Sequence, residues 1–209
     1  MINKLTPDLI KKAVAELTTR DADLARIVSA YGIPPFHQRD QGFPTLVYII
    51  LEQQVSLSSA RATYNKLIDL GPDLTPELFL KQDDLALRAI GFSRQKTRYT
   101  QHLAQSIVDG ELDLDALPGL DDDDTRTALT RIKGIGDWTA TIYQMTALRH
   151  PDVWPHGDRA IALAVQQVKG LTTPPGQESL KDIGDGYRPW RSVAARLFWH
   201  HYLGGEIPA

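Results

Sequence analysis

The sequence predicts an all-α protein, and three observations carry that prediction. Apolar residues recur at helical spacing, as from Leu9 to Val28; Gly and Pro residues punctuate the chain between such runs; and no stretch sustains the alternation of a strand. At 209 residues and 42% hydrophobic, the chain can bury a real core, as one compact unit or as two lobes sharing a cleft.

Taken in order, Leu9 to Val28 reads as one periodic amphipathic pattern that Gly32-Ile33-Pro34-Pro35 breaks. Phe43-Pro44 opens an apolar helix ending near Gln54, and Ser56 or Ser58 offers an N-cap for a helix from Ala60 to Leu70. Gly71-Pro72, Gly91, Gly110 and Pro118-Gly119 separate further helices, and Thr172-Thr173-Pro174-Pro175-Gly176 is a loop. The acidic run Asp121 to Asp124 suits a helix N-terminus, where carboxylates cap the amides and oppose the macrodipole. No internal repeat stands out.

The most informative stretch is Ile132-Lys133-Gly134-Ile135-Gly136-Asp137-Trp138-Thr139-Ala140. Leu129 and Ile132 suggest a helix before the glycines, and Ala140, Ile142, Tyr143 and Ala147 another after them. Two glycines around one aliphatic residue allow a tight turn and close backbone approach to another molecule, with Ile135 pinning the turn into the core. Amides at the start of the second helix then offer a site for a phosphate oxygen, assembled from Gly134, Ile135, Gly136 and Thr139. A dinucleotide fingerprint is the poorer reading, because Thr139 stands where the third glycine belongs and the preceding pattern is helical. An ordinary helix-turn-helix connection is the plain alternative for the hairpin alone.

Charge is equivocal. The net −3 argues against a nucleic-acid partner, yet Arg94, Lys96 and Arg98 form one cationic cluster and Arg188, Arg191 and Arg196 another. No run of apolar residues is long enough to span a membrane, and Met1-Ile2-Asn3-Lys4 leads into polar residues without a signal-peptide core. Cysteine is absent, which excludes structural disulfides, and the simplest expectation is a cofactor-free protein of the cytosol or, in a eukaryote, the nucleus. His200-His201 point about 100° apart on a helix and do not chelate one metal readily, so no catalytic metal is expected.

Four separated segments accompany one another in order: Leu51-Glu52-Gln53-Gln54-Val55-Ser56, Gly91 to Tyr99, the Gly-Ile-Gly hairpin with Pro155-His156-Gly157-Asp158, and Pro189-Trp190-Arg191-Ser192. Together, from about Phe43 to Trp199, they resemble the helix-hairpin-helix DNA glycosylases of the 3-methyladenine glycosylase II type, which excise alkylated bases. The resemblance implies a two-lobed helical fold with the active-site cleft between lobes: a helical barrel lobe at 42–150, holding the hairpin at about 121–148, and a second lobe from 1–41 and 151–209. It implies that Asp158 is the catalytic carboxylate, that Trp138, Trp199, Gln53 and Ile142 border the base pocket, and that Gln54 is the wedge replacing a flipped base. The implied partner is double-stranded DNA containing alkylated bases, with no membrane or obligate protein partner. The implied cofactor is none, save a structural monovalent cation on the hairpin carbonyls; the iron–sulfur cluster of some such enzymes is excluded by the lack of cysteine.

Three departures from the family pattern carry consequences. Lys133 replaces the usual proline before the hairpin; Glu52 replaces a small residue, as a solvated charge or an element of the pocket mouth; and Ile142 replaces a tyrosine, with Tyr143 facing elsewhere. Trp138 stands where relatives that also cut the backbone carry a nucleophilic lysine, so the reading is monofunctional, with Lys133 structural or on a phosphate and Trp154 and Trp190 in packing. Excision of other damaged or mismatched bases, a non-catalytic DNA-binding module, and a helical protein-interaction domain are the competing readings.

Overall fold

The structure, a computed structural model, describes residues 4–71 and 73–205; Met1, Ile2, Asn3 and Pro72 of the segments discussed above lie outside the described residues. Among the described residues there are twelve α-helices and no strand. They are α1 (Pro7–Arg20), α2 (Ala22–Tyr31), α3 (Phe43–Glu52), α4 (Leu57–Ile68), α5 (Pro76–Leu80), α6 (Asp84–Ala89), α7 (Arg94–Val108), α8 (Asp122–Thr130), α9 (Asp137–Tyr143), α10 (Arg159–Lys169), α11 (Gln177–Asp185) and α12 (Arg191–Tyr202). A 3₁₀ turn spans Leu117–Gly119, and a π-helical turn, Gln144–Leu148, prolongs α9.

The chain divides into two compact units, one formed by Met1–Gln38 with Arg149–Ala209 and the other by Arg39–Leu148. In the first unit, the single run expected from Leu9 to Val28 is two helices, and Asp21 is the reason. Its backbone is extended, and its carboxylate accepts the Asp23 and Leu24 amides, ending α1 and starting α2 with one residue. Apolar faces of α1, α2, α10 and α12 build this unit's core, with Leu17, Leu24, Ile161, Val165 and Phe198 fully or almost fully buried. Trp154 packs edge-on against Phe198, and the Trp190 indole N–H donates to Glu16, so both tryptophans are structural.

In the second unit α3 is apolar nearly all round and is buried along its length from Leu46 to Glu52 except at Tyr48. Phe43, Phe79 and Phe92 pack as a chain of rings beside it. Ser56, not Ser58, caps α4 by accepting the Ser59 amide at 3.2 Å. Asp121 caps α8 through the Asp124 amide at 2.8 Å, and Asp122, Asp123 and Asp124 fill its first turn. Among the described residues no helix is long and apolar enough to cross a membrane.

Candidate active site

Asp158 is set by a turn and a helix start. Gly157 takes φ 73°, a conformation suited to glycine, and the Asp158 amide closes the turn on the Pro155 carbonyl. The carboxylate then caps α10: Oδ1 accepts the Ile161 amide at 2.9 Å and the Trp199 indole N–H at 3.2 Å. Only 8% of the residue is exposed. A negative charge in this position gains from the positive end of α10 and from two donors that fix its orientation. The structure thus joins Asp158 and Trp199, 41 residues apart in the chain, by a direct hydrogen bond.

The hairpin lies in the other unit, between α8 and α9. Gly134 has φ 100°, and a Cβ placed on it would come within 2.3 Å of Tyr99 Cγ, so the turn is seated on the Tyr99 side chain. Around Gly136 the space is open, and α9 starts there without a side-chain cap. Of the expected phosphate contacts, the Ile135 amide is already engaged within the turn, while Thr139 keeps its amide at the start of α9. The Ile135 amide donates to Ile132 at 3.0 Å and its side chain is buried, so Ile135 pins the turn. The Thr139 side chain is also buried, its hydroxyl accepting the Gln53 amide at 2.9 Å. Gln53 Nε2 reaches the Gly134 carbonyl at 2.9 Å as well, which makes Gln53 a clamp between the end of α3 and the hairpin. The Ile132 and Gly134 carbonyls each accept one donor and retain a second lone pair, which fits a monovalent cation held by backbone oxygens.

Beside Gln53 the chain leaves the helix abruptly. Gln54 is exposed with φ 57°, a strained conformation for a residue with a side chain. Glu52 is not a solvated charge: it is 7% exposed and paired bidentately with Arg39 at 2.6 and 2.9 Å. The Arg39 guanidinium also lies over the Tyr48 ring, 4.8 Å from its centroid. Arg39 escaped the sequence reading, although a glutamate ending so apolar a helix calls for a cation. Trp138 is half-buried in the first turn of α9, Ile142 is buried, and Tyr143 turns inward so that its hydroxyl accepts the Gly42 amide.

The two cationic clusters fare differently. Arg188 and Arg191 pair with Asp152 and Asp185, and Arg196 is buried with its guanidinium donating to the His37 carbonyl, so that cluster is structural. In the other, Lys96 turns away to donate to the Leu51 carbonyl at 2.6 Å, and burial lowers the pKa of its ammonium. Arg94 and Arg98 remain exposed.

Comparison with known proteins gives this geometry a context. The family model described as HhH-GPD superfamily base excision DNA repair protein matches residues 47–189. DNA-3-methyladenine glycosylase 1 of Schizosaccharomyces pombe is 25% identical over 180 residues, 84% of this chain and 79% of that protein. The putative DNA-3-methyladenine glycosylase YfjP of Bacillus subtilis is 27% identical over 158 residues, 72% of this chain, which covers 55% of that longer relative. Among solved structures, the S. pombe 3-methyladenine DNA glycosylase Mag1 in complex with abasic DNA superposes with a TM-score of 0.85 at 25% identity, covering 90% of this chain and 95% of that one. A DNA-3-methyladenine glycosidase from Bacillus halodurans gives 0.76 at 29% identity, covering 94% and 89%. With the hairpin, the capped aspartate and most of the chain inside one family model, the chain belongs to the HhH-GPD superfamily of base excision DNA repair proteins.

Proposed function

We propose that the protein is a monofunctional DNA glycosylase that releases alkylated purines of the 3-methyladenine and 7-methylguanine type from double-stranded DNA, opening base excision repair. The observation that carries this reading is the buried, doubly hydrogen-bonded carboxylate of Asp158 in a chain of this superfamily. Relatives named as 3-methyladenine glycosylases supply the substrate class.

The reaction follows from the charge it creates. Cleaving the bond between base and deoxyribose builds positive charge on the sugar, as in glycoside hydrolysis. A fixed carboxylate stabilises that charge without reorganising, and it can orient or deprotonate the attacking water. An alkylated purine that is already cationic departs as a neutral molecule, so one carboxylate suffices and no acid at the base is needed. The indole faces of Trp138 and Trp199 suit a cationic ring, with about 0.5–2 kcal/mol of cation–π attraction. Gln54 fills the stack that the extruded base vacates, and the hairpin backbone around Gly136 holds a phosphate. A monovalent cation on the hairpin carbonyls would support that turn and enters no bond-breaking step.

The test is to incubate the protein with methylated duplex DNA and identify any released base. Asp158→Asn is the matched control, because asparagine caps a helix as well as aspartate does and leaves α10 intact. Release should fall by about two to three orders of magnitude, as when a main electrostatic stabiliser is lost, with Tm unchanged and duplex affinity retained. Release at the wild-type rate by the variant overturns the role of Asp158. Binding without release by the wild-type protein would leave a non-catalytic DNA-binding module.

A further inference from the structure

The exposed arginines of the second unit form a pattern of their own. Arg88 from α6 and Arg94 and Arg98 from α7 line one open depression, floored by Gly91 and Phe92. Arg98 also lines the adjoining one with Gln95, Tyr99 and Lys133. Tyr99 is the residue on which Gly134 is seated, so the cationic strip runs without interruption from Arg88 to the hairpin. The sequence groups Arg94 and Arg98 with Lys96, which the fold turns away, and Arg88 and Lys133 join the two arginines through the fold.

These four cations line one continuous surface and none of them has counter-charge beside it. Arg26, Arg39, Arg126, Lys169, Arg188 and Arg191 each hold a carboxylate within 4 Å. Among the described residues no carboxylate comes that close to Arg88, Arg94, Arg98 or Lys133, although acidic residues outnumber Lys and Arg by 26 to 23. The first turn of α7 carries no acidic residue either, so Arg94 stands at the positive end of the helix macrodipole with no carboxylate in that turn to offset it. Cations gathered on one surface with no carboxylate beside them mark a place where an external anion completes the balance.

We infer that this strip is a second phosphate-binding surface, separate from the hairpin backbone, that takes the sugar–phosphate backbone of duplex DNA. Guanidinium groups match phosphate oxygens in geometry and charge. Phe92 is buried and Gly134 lies against the stem of the half-buried Tyr99 ring, so the strip offers one partly covered ring rather than a series on which unpaired bases would stack, and single-stranded nucleic acid is the poorer fit. The inference rests on the DNA-directed reading of the protein but not on base excision.

The experiment measures affinity of the full chain for an undamaged duplex against salt, comparing wild type with the triple variant Arg88→Gln, Arg94→Gln, Arg98→Gln. Each phosphate contact contributes about 0.9 to the slope of log affinity against log salt, so the slope should fall by roughly 2 to 3. Low-salt affinity should drop about tenfold or more. Arg188→Gln, which removes a cation already paired with Asp152 and Asp185, should leave the slope unchanged. Single-turnover base release at saturating protein should be the same in wild type and triple variant. An unchanged slope in the triple variant overturns the inference even if the protein excises bases. A loss confined to single strands overturns the duplex assignment. A protein that releases no base but shows the predicted slope change would retain this surface and lose the glycosylase reading.

Discussion

Gly134 and Gly136 are both glycine, for different reasons, and the difference can be measured. At Gly134 the backbone is left-handed and a methyl group would strike the Tyr99 ring stem at 2.3 to 2.7 Å. Alanine there meets both penalties, the conformational one alone being about 1–2 kcal/mol, and should lower stability in urea denaturation. At Gly136 φ is −93° and no atom lies within 4 Å of an added Cβ, so the protein itself does not require glycine. Gly136→Ser should keep or raise stability, since serine is a good N-cap and α9 has none. Its hydroxyl would nevertheless occupy the amides and the space that a phosphate needs, so duplex affinity should fall for all sequences alike. Unimpaired affinity in a stable Gly136→Ser protein would remove the hairpin from the phosphate-binding role.

At the scale of elements, the residues that join helices decide more than the helices do. Asp21 ends α1, starts α2, and accepts the Tyr187 hydroxyl at 2.9 Å and Lys169 Nζ at 3.2 Å. Burial alone would raise the pKa of this carboxyl, but the hydrogen bonds from Tyr187, the Asp23 amide and Lys169 outweigh it and bring it below its ordinary value. A depressed carboxylate contributes stability that is complete above its unfolded pKa of about 3.9 and is lost as pH falls through the folded value. Asp21→Asn should therefore be less stable than wild type at pH 7, by a margin that narrows only below about pH 4. Urea midpoints of both proteins across pH 7 to 3 test this, and a margin independent of pH would assign the loss to packing. The same junctions show what the sequence could and could not disclose. Local rules gave the cap at Asp121, the turn at Gly134–Gly136 and the start of α3, because their partners lie within a few residues. The break at Asp21 was hidden inside an unbroken apolar period. Arg39 with Glu52, Gln53 with Gly134, and Asp158 with Trp199 were hidden because each pairing spans 13 to 81 residues of chain and arises only in the fold.

For the molecule as a whole, the outcome of the reaction depends on which amines the chain can present. A glycosylase that also cuts the backbone needs an amine to attack the sugar and form an imine, and the hairpin position of that amine is here Trp138. The remaining lysines near the hairpin are poorly placed for the task by their own contacts. Lys96 is the most tempting, because burial lowers its pKa and enriches the neutral amine, but its Nζ is tied to the Leu51 carbonyl at 2.6 Å. Lys133 is exposed on the cationic strip with Arg98, where a phosphate contact suits it better than attack on carbon. Borohydride added during turnover on methylated duplex should therefore trap no covalent complex, and the product should be an intact abasic strand that breaks only on later treatment with alkali. Running the trap at mildly alkaline pH makes the test severe, since it favours neutral amine at either lysine. A trapped complex whose DNA-linked peptide contains Lys96 or Lys133 would show that the fold has moved the nucleophile to a new element, and the hydrolytic mechanism built on Asp158 alone would have to be replaced by one with a covalent intermediate.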